Sequence, residues 1–191
     1  AADEAVRFPA SGILPDIHEY LGAGAARTGG THVPEVRVLA QAHDACIRQR
    51  EPLAQPAALP LIARLCDAGY TVLIETSGAI DVQPIDQRAK LILDVKCPGS
   101  GMTERMHWPN LDSLTAKDEA KFVLASRADY EWARGIVAQY HLADRCTVLF
   151  SPVFGSLDLR PLAEWILADR LPVRFQLQMH KYIWAPDMRG V

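Results

Sequence analysis

The sequence predicts an α/β protein, on three observations. Short apolar, β-branched runs of strand length recur from about residue 70 onward. Amphipathic helical patterns separate them. Polar and charged residues gather at the C-terminal ends of those runs. Strands that alternate with helices imply βαβ units and a parallel sheet.

The regular part begins near residue 52. Pro56 and Pro60 mark a helix entry, Leu61, Ile62 and Leu65 share its apolar side, and Gly69 closes it. YTVLIE (70–75) reads as a buried strand that runs into Thr76-Ser77-Gly78, and AKLILDV (89–95) as the next. A short helix is expected near Lys117–Glu119, followed by a strand in AKFVLAS (120–126). Ser126 with Asp129 three residues later signals a helix start whose buried face is Ala133, Ile136, Val137 and Tyr140. CTVLFSPVF is a fourth strand, and Asp158 to Ala168 a helix burying Leu162, Trp165 and Ile166. PVRFQLQMHKYIW (172–184) alternates cleanly and reads as a last strand. Its polar face (Arg174, Gln176, Gln178, His180) either borders a cavity or is an edge wetted by solvent.

Residues 1–50 differ, so the expected division is 1–50 against 51–191. The first part is rich in Ala, Gly and Arg, and GAGAARTGGTHVP reads as a loop or disordered stretch. VPEVRVLAQAHDACIRQ could form a helix, with Val38, Leu39, Ala42 and Cys46 on one face. In that setting His43 and Cys46 favour a helical reading over a metal pair.

Bulk properties narrow the function. With 191 residues and 49% hydrophobic content the chain can bury a core. A net charge of −3 gives no electrostatic footprint for nucleic acid or an acidic membrane. No apolar run reaches the ~20 residues of a membrane span, and the acidic opening AADEAVRF does not read as a secretory signal. The scattered Cys46, Cys66, Cys97 and Cys146 are expected to be reduced, as in the cytoplasm.

Chemistry is expected at the strand ends: Glu75 and Ser77, then Asp94 and Lys96, then Ser151. In parallel α/β folds, ligands bind at the carboxyl ends of the strands. The competing expectation for Asp94 and Lys96 is a mutual ion pair. Gly99 and Gly101 in CPGSG can turn backbone N–H groups toward an anion, or form an ordinary turn. His180 is either a ligand contact or a structural histidine. His107 and Trp108 lie in a loop without an evident partner.

The strings ETSG, LDVKCPGSGM, DEAKFVLASRADYEWAR, VLFSPVFG and LQMHKYIWAPDMRGV, in this order, resemble the C-terminal two-thirds of 7-carboxy-7-deazaguanine synthases, radical S-adenosylmethionine enzymes of the queuosine-precursor pathway. The resemblance covers about residues 51–191. It implies a shortened, partial βα barrel of the radical S-adenosylmethionine type, with an atypical or truncated N-terminal part, and a homodimer. It also implies S-adenosylmethionine, a [4Fe–4S] cluster and Mg²⁺ as cofactors. The reaction implied is ring contraction of 6-carboxy-5,6,7,8-tetrahydropterin with loss of ammonia. By position, Glu51 matches the glutamate that serves the cofactor's amino group. Ser77, Lys96 and Ser151 fall at contacts to S-adenosylmethionine, and His180 at a contact to the pterin substrate.

The sequence also departs from the family. The GGEP motif reads Gln49-Arg50-Glu51-Pro52, and no CxxxCxxC occurs in these residues. As written, the chain is therefore expected to be unable to generate the radical. The bias of residues 1–50 is that of a GC-rich gene read out of frame. Two alternatives remain: a non-catalytic relic of the fold without a cluster, or a lyase that forms a Schiff base through Lys96.

Overall fold

The computed structural model describes residues 37–41, 44–48 and 51–186. These fall into two compact units: the residues up to Thr76 together with Pro84–Lys90, and Ser77–Gln83 together with the residues from Leu91 onward.

In the first unit, β1 (Arg37–Gln41) pairs antiparallel with β2 (Asp44–Arg48), and β2 pairs in parallel with β3 (Thr71–Thr76). The helix expected across this segment is thus replaced by a strand pair. The physical reason is the partner: Ala45, Cys46 and Ile47 lie opposite Val72, Leu73 and Ile74 of β3. An unpaired β3 edge would leave its backbone groups open, and strand pairing overrides a weak helical period. His43 of the His43/Cys46 pair lies outside the described residues, as does GAGAARTGGTHVP.

Helix α1 (Ala58–Asp67) buries Leu61, Ile62 and Leu65, the expected side, and Gly69 follows it with φ of 84°. That left-handed conformation is one that glycine adopts without a side-chain penalty. Val72 and Ile74 of β3 are fully buried.

The second unit holds four parallel strands in chain order: β4 (Lys90–Val95, from Leu91 onward), β5 (Glu119–Leu124), β6 (Thr147–Pro152) and β7 (Arg174–Phe175). Between them run α2 (Arg127–Gln139), the single turn α3 (Leu142–Arg145) and α4 (Leu159–Ala168). No short helix forms near Lys117. Asp118 instead closes a turn, and its carboxylate accepts from Thr115 N–H, the Thr115 hydroxyl and Leu91 N–H. That last bond draws on the backbone of β4, so the turn before β5 is tied to its neighbour strand. Glu119 then begins β5 directly.

The start of α2 follows the sequence signal. The Ser126 side chain accepts from Asp129 N–H at 3.2 Å, satisfying one of the helix's free donors. Core packing in this unit is aromatic. Phe150 meets Phe122 and Tyr130 edge-on at 5.5 and 5.9 Å, and all three side chains are fully buried. The Tyr130 hydroxyl donates to Asp169 at 2.6 Å, which satisfies the one polar atom that the ring carries inward.

The last strand is far shorter than expected. Only Arg174–Phe175 pairs with β6, and one turn of helix, α5 (His180–Ile183), follows. Its partner strand explains this. Gln176 N–H still donates to Phe150 O at 2.9 Å. The next backbone nitrogen on β6 after Ser151 belongs to Pro152, which has no N–H to give. The ladder therefore ends there despite the alternating sequence.

Candidate functional site

The register of β4, β5 and β6 assigns residues to faces. Val95, Phe122 and Phe150 lie level with one another and are buried. One residue on, Val123 lies opposite Ser151, and Lys96 follows Val95 at the corresponding level. Residues level with each other on neighbouring parallel strands project to the same face. Asp94, Lys121, Val123 and Ser151 therefore share the face opposite the aromatic core, and Lys96 continues it past the strand end. Two strand spacings separate β4 from β6, about 10 Å. That gap is the width of a small heterocycle with its substituents.

Lys96 Nζ donates to Asp94 at 2.5 Å, so the expected mutual pair is present. Both side chains keep about a quarter of their exposure, at 28% and 23%. The pair is neither sealed in the core nor free in solvent, and its cation stands at the rim. Ser151 differs. It is 1% exposed, and its hydroxyl oxygen has no hydrogen-bond partner. An unsatisfied buried hydroxyl costs roughly 1–3 kcal/mol, so its persistence at a strand end points to a ligand group.

The glycine loop after β4 does not offer its anion nest to a ligand. Gly99 N–H donates to Asp129 Oδ1 at 2.8 Å, and Ala125 N–H donates to Asp129 Oδ2 at 2.9 Å. The anion that this loop cradles is the protein's own carboxylate, itself 2% exposed. Glycine is required there, because a Cβ on Gly99 would lie 2.5 Å from Asp129 Oδ2. The loop's role is to lock the end of β4 to the start of α2, which fixes the direction from which Lys96 leaves the strand. Burial, with the nearby Asp129 and Asp94 charges, pushes the Cys97 thiol up to about 12. Cys97 is thus a protonated packing residue.

Ser77 is half-buried and opens the loop after β3. Gly78 follows with φ of 75°, and a Cβ there would meet Met106 Cε at 2.8 Å. Asn110, buried, holds this loop: its amide donates to Gly78 O and Ile80 O and accepts from Val82 N–H. Asn110 was not singled out from the sequence. His107 N–H adds a bond to Gly78 O at 2.9 Å. Trp108 stacks on Tyr140 with 6.1 Å between ring centroids, which supplies the partner its sequence position did not reveal.

Glu51 belongs to the first unit. Its carboxylate accepts from the Thr76 hydroxyl at 2.9 and 3.0 Å and from Leu53 N–H at 3.3 Å. It thereby caps the turn Pro52–Ala54 and ties it to the end of β3. Thr76, 1% exposed, is the partner that sequence reading passed over between Glu75 and Ser77. His180 is displaced from its expected place on a strand and begins α5. Nearby, Phe154 after β6 meets Tyr182 of α5 edge-on at 5.1 Å, joining the C-terminal segment to the loop that follows Ser151.

A 7-carboxy-7-deazaguanine synthase of Chlorobaculum tepidum is 46% identical over 144 residues, covering 74% of this chain and 66% of that protein. The synthase of Koribacter versatilis is 43% identical over 171 residues, covering 82% of this chain and 76% of that protein. The chain belongs to the 7-carboxy-7-deazaguanine synthase family. A third member, from Methanospirillum hungatei, is 33% identical across 87% of this chain. Among solved structures, that of QueE from Escherichia coli superposes with a TM-score of 0.52 at 20% identity, covering 73% of this chain and 57% of that one. This match shows the fold, of the α/β class expected from the sequence. No protein-family model matches the chain. Among the described residues no helix is long and apolar enough to cross a membrane.

Proposed function

We propose that this chain serves 7-carboxy-7-deazaguanine synthesis as a lyase of the radical S-adenosylmethionine type, acting on 6-carboxy-5,6,7,8-tetrahydropterin. Family membership supports the reaction class. The observation that carries the site is the buried, unpartnered Ser151 hydroxyl on the same face as Lys96. In this reading the Lys96 ammonium meets a carboxylate or ribose oxygen of S-adenosylmethionine, and Ser151 hydrogen-bonds a second polar atom about two strand spacings away. By its match to the family's motif, Glu51 serves the cofactor's amino group. Ser77 contributes a hydroxyl from the loop that Asn110 fixes, and His180 faces the pterin. Binding by these groups would orient the two reactants and exclude water from between them. The working form is a homodimer in the cytoplasm.

The described residues do not fit the inorganic cofactors of the family. No group of three potential ligands among His, Cys, Asp and Glu occurs among them. Cys66, Cys97 and Cys146 are separately buried thiols, and burial raises the pKa of Cys97 and Cys146. A cluster needs exposed thiolates converging on one site. Neither the cluster nor Mg²⁺ is assigned to these residues. No observation favours Schiff-base chemistry: Lys96 Nζ is engaged by Asp94 at 2.5 Å.

Equilibrium dialysis against S-adenosylmethionine and 6-carboxypterin, after anaerobic treatment with iron and sulfide, tests the reading. Saturable binding of both ligands, weakened in Lys96→Met and Ser151→Ala, is expected. Binding of neither ligand would overturn it. Iron and acid-labile sulfide assays of the same sample report whether the full chain holds a cluster.

A further inference from the structure

A second buried polar atom lacks a partner. Gln178 Oε1, like Ser151 Oγ, is buried and accepts no hydrogen bond. Leaving two such atoms unsatisfied is costly, and native interiors rarely tolerate it. Phe175 is level with Phe150, so Gln176 stands beside Ser151. Gln178 follows two residues later, where the chain leaves β7 and before it turns into α5. Arg174, Phe175, Gln176 and Met179 around it are exposed, whereas Leu177 and Gln178 itself are half-buried. A wetted edge strand would expose this amide as well. Its inward carbonyl oxygen therefore marks the place where the last strand stops being an edge and borders a ligand.

The chemistry of the face is asymmetric. Lys96 can only donate, and Gln178 Oε1 can only accept. A ligand that satisfies both presents an acceptor at one end and an N–H at the other. We propose that Gln178 is a specificity-determining residue whose Oε1 accepts an N–H from the exocyclic amino group of the bound nitrogen heterocycle. This rests on the function proposed above. That chemistry has two sources there, the 6-amino group of adenine and the 2-amino group of the pterin.

The test is calorimetric titration of the full chain and of Gln178→Leu and Gln178→Glu. The ligands are S-adenosylhomocysteine, 6-carboxypterin and their counterparts lacking the amino group, the 6-oxo purine and the 2-deamino pteridine. For one of the two ligands, the amino form is expected to bind Gln178→Leu about tenfold more weakly than the wild type, the loss of one buried hydrogen bond. The counterpart without the amino group should bind both proteins alike. Gln178→Glu keeps the acceptor and should retain the preference for the amino form. The ligand that responds names the source. If Gln178→Leu weakens amino and deamino forms equally, the residue is only structural and the proposal is wrong. It is equally wrong if Gln178→Leu binds as the wild type does, and the proposed function then still stands. Failure of the wild type to bind any of the ligands would remove both.

Discussion

The two faces of β4, β5 and β6 are built from alternate residues of the same strands, and they obey different rules. On one face, Val95, Phe122 and Phe150 are sealed, and the hydroxyl of Tyr130, whose ring packs on Phe150, is satisfied by Asp169. On the other, Lys96 remains partly exposed and Ser151 is buried without a partner. The first face is organised for stability. The second leaves hydrogen-bonding capacity unused inside the protein, which stability alone would select against. The contrast separates residues that hold the fold from those reserved for a ligand.

Substitutions can break that contrast. Phe150→Ala should have the largest effect. It removes a fully buried ring with two aromatic partners and should cost about 3–5 kcal/mol in denaturant unfolding. Asp129→Ala comes next, because it strands the N–H groups of Gly99 and Ala125, at roughly 1–3 kcal/mol for each buried donor left unpaired. Loosening that lock should also weaken ligand binding, through the changed exit of Lys96.

Asp118→Asn tests the electrostatics. Burial alone would raise the Asp118 pKa, but hydrogen bonds from Leu91, Thr115 and Lys117 outweigh it and hold the carboxyl below its ordinary value. A lowered folded-state pKa means that the stabilisation is complete above the unfolded carboxyl value of about 3.9 and fades as the pH falls through the folded value. The gap in unfolding free energy between wild type and Asp118→Asn should be wide at neutral pH and narrow below about pH 4. A gap independent of pH would contradict this role.

On the polar face the expected stability effects are small. Lys96→Met should change stability by at most about 1 kcal/mol, since the ion pair is partly solvated. Ser151→Ala should be neutral or slightly stabilising, because it removes an unsatisfied hydroxyl. Both should nonetheless weaken ligand binding. Variants that lose stability without losing affinity would place these residues on the structural side of the comparison.

Much of this was legible in the sequence. Strands 71–76, 90–95, 119–124 and 147–152 follow from apolar β-branched runs, and Ser126 with Asp129 announced α2. Lys96 and Ser151 were readable as strand-end residues, because period two and parallel topology fix the face. Three features were not legible, and each depends on a distant partner. β1 and β2 exist because β3 offers an edge, which overrides a local helical pattern. β7 stops short because Pro152 lies on the neighbouring strand. The anion of the CPGSG loop is Asp129, 30 residues away, rather than a ligand. Buried atoms without partners, as at Ser151 and Gln178, cannot be read from sequence at all, because they are defined by what fails to surround them.

Hydrogen–deuterium exchange of the full chain with and without S-adenosylmethionine tests the central claim most directly. Protection confined to residues around Lys96, Ser151 and 176–180, the strand ends of the polar face, is the predicted result. No protection at those strand ends at saturating ligand, or protection only elsewhere in the chain, would contradict it.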